Sequence, residues 1–147
     1  MAHIIVREAR PEDGAAWRDM RAALYGEDPS LLADVEGYFA GSPVITRAFI
    51  AEDGAPLGFI ELSLRNYAEG CTSSPVPYVE GLYVVEARRR RSIGRRLVAA
   101  AEAWAKANGF TEMASDTQIE NEASLGAHRS YGFAEVERIA CLRKSLI

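Results

Sequence analysis

The chain has few cysteines, no long apolar run and no surplus of positive charge, and each shortage excludes something. Its two cysteines, Cys71 and Cys141, show no metal-ligand spacing and are too few for a disulfide framework. One bridge is open to them, and two reduced thiols is the plainer reading. No apolar stretch approaches the roughly 20 residues that span a bilayer. The N-terminus, Met1-Ala2-His3-Ile4-Ile5-Val6-Arg7, lacks a basic segment followed by a long apolar run, so no signal peptide is expected. Lys and Arg total 17 against 21 for Asp and Glu, a net charge of −4. That balance argues against bulk nucleic-acid affinity and suits a cationic substrate better. Repeats, low-complexity tracts and linker-like segments are absent from the sequence. With 147 residues, 48% of them apolar, the chain is expected to form one cytoplasmic domain over 1–147.

What is present alternates strands and helices. Ile4 to Glu8 reads as a strand, and Pro11-Glu12-Asp13 suits a helix start. Trp17, Met20, Ala23 and Leu24 follow at helical spacing, and Ser30 to Phe39 gives a second helix. Ala48 to Glu52 and Leu57 to Leu64 form a hairpin around Asp53-Gly54. The small, polar stretch from Asn66 to Pro77 is a loop. Tyr78 to Glu86 reads as a strong strand, and Ser92 to Asn108 as the clearest helix, stopped by Asn108-Gly109. A strand near Thr111 to Ser115, a helix near Asn121 to Ser130 and a last strand from Glu135 to Leu142 complete the order. The pattern is α/β, a mixed sheet flanked by helices.

The most informative segment joins the strand ending at Val85-Glu86 to the helix starting at Ser92. It reads Ala87-Arg88-Arg89-Arg90-Arg91-Ser92-Ile93-Gly94-Arg95-Arg96. Backbone N–H groups at a helix start lack intrahelical partners and carry positive dipole charge, which suits phosphate oxygens. Small residues such as Ser92 and Gly94 let phosphates approach, and the arginines add charge-assisted hydrogen bonds. The plainer alternative is a solvated basic surface or a nucleic-acid patch.

At this segment the chain resembles the GNAT superfamily of acetyl-CoA-dependent N-acetyltransferases. Their phosphate-binding signature, Arg/Gln-x-x-Gly-x-Gly/Ala, is matched by Arg89-Arg90-Arg91-Ser92-Ile93-Gly94 except that Ser92 replaces the first glycine. The resemblance covers essentially the whole chain. It implies a strand that carries a bulge and splays from its neighbour, with acetyl-CoA as cosubstrate lying in the V. The backbone of Leu82, Tyr83 and Val84 would hold the acetyl group, and Arg95 and Arg96 would join the phosphate grip. No metal is expected.

Further stretches are similar to the aminoglycoside 6'-N-acetyltransferases of that superfamily. They are Cys71-Thr72-Ser73-Ser74-Pro75-Val76, Val79-Glu80-Gly81-Leu82-Tyr83-Val84, and Glu112-Met113-Ala114-Ser115-Asp116-Thr117 with Asn121, beside Trp17-Arg18 and Glu137-Arg138. Aminoglycosides are polycations, so their pocket should carry carboxylates. Glu80, Asp116, Glu137 and Glu69 are the candidates, each with the alternative of a solvated surface charge. By the resemblance, Asp116 and Glu137 would bind substrate ammonium groups. Trp17, Tyr25, Asn66 and Tyr67 are candidates to wall the pocket, with Trp17 equally suited to the core.

The reacting amine must lose a proton, and Glu80, directly or through water, is the candidate acceptor. Backbone N–H near Val84 would stabilise the developing oxyanion. Many members of the superfamily place a tyrosine four residues before a terminal Gly-Phe pair. Here that position, before Gly132-Phe133, holds His128, a candidate general acid, with Tyr131 as an alternative. Asn121 would contact the pantetheine arm or cap its helix. The resemblance also implies a homodimer. Other readings are acetylation of a polyamine, an amino sugar or a protein N-terminus, a non-catalytic acetyl-CoA-binding module, and a small nucleic-acid binder.

Overall fold

The computed structural model describes residues 3–89 and 92–147. Arg90 and Arg91, two members of the expected phosphate grip, lie outside the described residues. The chain divides into two compact units, Met1–Asp116 and Thr117–Ile147.

The first unit is built on a five-stranded sheet whose spatial order follows the sequence. Its strands are β1 (Ile5–Glu8), β2 (Arg47–Glu52), β3 (Pro56–Arg65), β4 (Val76–Val84) and β5 (Ala114–Ser115). The first three pairings are antiparallel and the last is parallel, so the sheet is mixed as expected. Parallel neighbours require a crossover, which α3 (Ile93–Ala107) provides. On one face, Ala48, Ile50 and Phe59 pack with Trp17 and Met20 of α1 (Gly14–Tyr25) and Val35 of α2 (Ser30–Phe39). Trp17 meets the rings of Tyr38 and Phe39 edge-on, with centroids 5.5 and 6.0 Å away. The other face takes α3, whose buried stripe runs through Ile93, Leu97, Val98, Ala101 and Ala105. Gly58 permits that approach. A Cβ there would lie 2.6 Å from the Tyr83 carbonyl oxygen and 3.3 Å from Leu97 Cδ1.

Two irregularities in β4 shape everything that follows. Glu61 pairs with Gly81 and Leu62 with Val79, so Glu80 is an extra residue without a ladder partner, a β-bulge. The parallel pairing with β5 involves only Tyr78 and Val79. The expected strand from Thr111 to Ser115 is therefore reduced to two residues, and β4 runs on beyond its neighbour. Val85 N–H donates to Leu57 O at 2.8 Å. Alternation along an antiparallel ladder then turns the backbone groups of Leu82 and Val84 away from β3, toward that edge.

The second unit contains α4 (Glu122–Ser130), capped by Asn121, whose Oδ1 accepts from Ser124 N–H at 3.0 Å. The strand expected from Glu135 to Leu142 is not formed. Those residues are irregular, with Val136, Ile139 and Leu142 exposed by 63%, 51% and 93%. A segment becomes a strand only beside another strand, and among the described residues this unit supplies none.

Gly58→Val is expected to destabilise the protein by about 1–3 kcal/mol through overpacking. Urea unfolding would report it as a lower midpoint, and an unchanged midpoint would mean that α3 yields without cost.

Candidate active site

The bulge lifts Glu80 out of the ladder and presents its carboxylate at the surface of β4. Arg65, at the end of β3, grips it from the side. Arg65 Nε donates to Glu80 Oε1 at 2.8 Å and Nη2 to Oε2 at 3.0 Å, and Ser63 Oγ adds a bond to Oε1 at 3.1 Å. The Arg65 guanidinium also lies over the Tyr78 ring, 3.6 Å from its centroid. Tyr78 in turn donates its hydroxyl to Asp116 Oδ2 at 2.8 Å. Burial and the Asp116 carboxylate push the Tyr78 phenol up from its ordinary value. The sequence's two leading carboxylates are thus members of one chain of contacts, Glu80–Arg65–Tyr78–Asp116.

Behind this surface lies a buried ionic cluster. Glu61 points from β3 to the α1 face and is 2% exposed. Its carboxylate accepts from Trp17 Nε1 at 3.0 Å and Arg21 Nε at 2.9 Å through Oε2, and from Arg21 Nη2 at 3.1 Å through Oε1. Arg21 is completed by the Leu31 carbonyl at 2.7 Å and Asp34 at 3.3 Å. Burial pushes the Glu61 carboxyl up, while the donors around it draw it back. The Arg21 guanidinium is held above its ordinary value by Glu61 against its own desolvation.

Tyr25 ties this cluster to the bulge. Its hydroxyl is 3.1 Å from Glu61 Oε1 and 3.1 Å from the Glu80 carbonyl oxygen, and its single proton serves either acceptor. Burial and the adjacent Glu61 charge raise its phenol far above the ordinary range. Gly81 leaves room for it, because a Cβ there would stand 2.0 Å from the Tyr25 hydroxyl oxygen and displace the ring. A cavity of about 410 Å³ opens here, with Tyr25, Glu61, Ser63, Arg65 and Glu80 in its lining.

On the far side of the bulge, the open edge of β4 leads to the start of α3. Ser92 occupies the N-cap with φ 64° and ψ 12°, in the left-handed region. That conformation explains why a phosphate signature has glycine at this position, since an L side chain is strained there. Ile93 is buried, so only its backbone can serve a ligand. Gly94, Arg95 and Arg96 form the first turn. Arg89 Nε donates to the Val84 carbonyl at 2.8 Å, with its guanidinium 5.4 Å from the Tyr83 ring centroid.

The remaining sequence candidates have varied placements. Trp17 was offered as a pocket wall, but it is wholly buried, and its indole N–H serves Glu61. Its size and apolar ring fill the core, so this assignment is corrected. Tyr67 and Asn66 are exposed on the segment between β3 and β4, where the Asn66 carbonyl accepts from Ser74 Oγ at 2.7 Å. In the second unit, His128 Nδ1 lies 2.7 Å from the Ser124 carbonyl oxygen. A carbonyl only accepts, so this contact places a proton on Nδ1. Asn121 spends its side-chain oxygen as a helix cap. Glu137 falls in the irregular stretch after α4.

The acetyltransferase (GNAT) family model matches residues 7–133. The chain belongs to that family. It is 44% identical over 147 residues to an aminoglycoside N(6')-acetyltransferase type 1 of Klebsiella aerogenes, covering 97% of each. A protein of the same name from Stenotrophomonas maltophilia is 37% identical over 142 residues, covering 96% of this chain and 93% of that one. Among solved structures, AAC(6')-Iy with the bisubstrate analogue CoA-S-monomethyl-acetylneamine superposes with a TM-score of 0.89 at 37% identity, over 97% of this chain and 99% of that one. AAC(6')-Iy with CoA gives 0.90 at 36% identity, over 98% and 96%.

Within this acetyltransferase, sequence reasoning missed Glu61, Arg21 and Arg65. The signal for Glu61 was a lone acid inside the apolar run Phe59-Ile60-Glu61-Leu62, on the same strand face as Phe59. Arg21 stands one helical turn after Trp17, on the buried face of α1. Glu61→Ala is expected to lower stability by about 3–5 kcal/mol, because it leaves Arg21 charged and buried without its partner. Denaturant unfolding tests this, and a loss under about 1 kcal/mol would mean that water reaches Arg21. At the helix start, Ser92→Gly is expected to gain about 1 kcal/mol by relieving the left-handed conformation, with acetyl-CoA affinity retained in calorimetry. Ser92→Val should weaken that affinity.

Proposed function

We infer that this chain is an acetyl-CoA-dependent aminoglycoside 6'-N-acetyltransferase, acting as one domain over 1–147. The observation that carries the reading is the bulged strand β4. One side of the bulge holds carboxylates suited to ammonium groups, and the other presents an open backbone edge beside a helix N-terminus. The near-full-length likeness to the 6'-acetyltransferases named above supports the same substrate class.

The residues present suit a CoA-type cosubstrate. Its pyrophosphate would meet Arg89, Arg95, Arg96 and the backbone N–H groups of Ile93 and Gly94 at the start of α3, with Ser92 allowing close approach. Acetyl-CoA supplies the acetyl group as a thioester. The backbone of Leu82 and Val84 faces the open edge, where N–H can meet the charge that develops on the carbonyl oxygen. Glu80 accepts the proton shed by the amine as nitrogen bonds to the acetyl carbon. His128 is the candidate proton donor to the departing thiolate. Asp116 and Glu137 would hold further ammonium groups, with Tyr25, Asn66 and Tyr67 around the sugar. Conversion of an amine to an amide removes a positive charge, the chemical basis for a role in antibiotic resistance.

Two further assignments accompany this reading. No helix among the described residues is long and apolar enough to cross a membrane, and acetyl-CoA is a cytoplasmic metabolite, so the enzyme would work in the cytoplasm. A homodimer follows from the family resemblance.

Thiol release from acetyl-CoA tests the substrate directly. Kanamycin, tobramycin and neomycin, each with a 6'-amine, are expected to be turned over, and analogues with a 6'-hydroxyl are not. Faster release with spermidine or a peptide amine would replace the substrate and keep the cofactor. Glu80→Gln is expected to lower kcat by about 10²-fold or more, the usual worth of a positioned base. An unchanged kcat across the pH range would remove Glu80 from the proton path.

A further inference from the structure

The ion pair between Glu80 and Arg65 is the least expected feature of this pocket. A carboxylate meant to receive a substrate ammonium already holds a resident cation. Oε1 accepts from Arg65 Nε and the Ser63 hydroxyl, Oε2 accepts from Nη2, and Nη2 also stands 2.7 Å from Oε1. A guanidinium cannot lose its proton in a protein. While Arg65 stays in place, an incoming ammonium and the guanidinium would share one carboxylate, and like charges at that separation repel.

The surroundings permit release. Arg65 and Glu80 side chains are 42% and 34% exposed. Ion pairs this accessible are individually weak, so exchange of one cation for another is inexpensive. The released guanidinium keeps a partner in the Tyr78 ring, which it already covers. The local charge balance also matters. Glu80 and Asp116 contribute two negative charges and Arg65 one positive, while Arg21 and Glu61 offset one another.

We propose that Arg65 is a specificity-determining counter-ion that occupies the substrate's ammonium position at Glu80 and must be exchanged for it. The proposal rests on the acetyltransferase reading above. In the resting state Arg65 keeps the acidic pocket closed to stray monovalent cations and small monoamines. A polycation compensates for the exchange, because its further ammonium groups gain Asp116 while one displaces the guanidinium.

The test is steady-state kinetics of Arg65→Gln and Arg65→Lys with kanamycin and with 6-amino-6-deoxyglucose, a sugar bearing a single primary amine. Arg65→Gln removes the competing charge, so KM for kanamycin should fall about two- to fivefold, the worth of an exposed ion pair. The preference in kcat/KM for kanamycin over the monoamine should narrow. Arg65→Lys keeps the charge without the fork, and its KM should stay closer to wild type. A KM that is unchanged or raised in Arg65→Gln overturns the exchange, as does a fall in kcat with KM unmoved, the mark of an orienting role. An equal fall in KM for both variants also overturns it, because charge would then be irrelevant. Thiol release by the wild-type enzyme separates the two readings, since no turnover of kanamycin before any substitution would instead overturn the substrate.

Discussion

An ion pair taken out of water loses much of its hydration, and the Arg21–Glu61 pair sits where that loss has the widest structural return. It joins α1 to β3 directly, and reaches α2 through the Leu31 carbonyl and Asp34. Through the Tyr25 hydroxyl it also meets the Glu80 carbonyl at the bulge. A sheet bulge is held by few hydrogen bonds of its own, because its extra residue has no partner in the ladder. Here the Tyr25 hydroxyl, within reach of both the buried pair and the Glu80 carbonyl, brings the helix layer against the bulge.

The pocket separates two kinds of electrostatics along one strand. Below the bulge, carboxylates and an arginine present charged side chains that exchange partners at low cost. Above it, the polar groups are backbone N–H and C=O, fixed by the ladder and by the start of α3. Side chains suit ligands that vary in shape and charge position. Fixed backbone dipoles suit a ligand portion that is always the same, and they need no rearrangement when charge develops.

Much of this was legible in the sequence, and the remainder was hidden for physical reasons. The amphipathic α3 could be read because one periodicity dominates it, and β2 and β3 because two apolar runs flank the Asp53-Gly54 turn. The basic turn before α3 was legible because its composition contrasts with the apolar strand before it. Ser92 stood out as a departure from the glycine of the signature, and its left-handed backbone supplies the reason glycine belongs there. The bulge was implied only by resemblance, since an extra residue in a strand leaves no mark in composition. Arg65 lies just beyond the strand read from Leu57 to Leu64, and only the ladder brings Glu80 beside it. The stretch from Glu135 to Leu142 is rich in apolar residues, but pairing is a property of two segments and cannot be read from one.

The bulge at Glu80 also acts as a frame shift in the sheet. One inserted residue changes which alternate positions of β4 face a given side, so the segments before and after it follow separate alternation rules. Residues Val76 to Val79 are buried, so the segment before the bulge is held by the core, while the segment after it turns the backbone groups of Leu82 and Val84 to the edge. A strand that is continuous in the chain thus has a packed half and an open half. Changes in the exposed side chains around Glu80 can suit a new acceptor while the backbone edge beyond it is left unchanged.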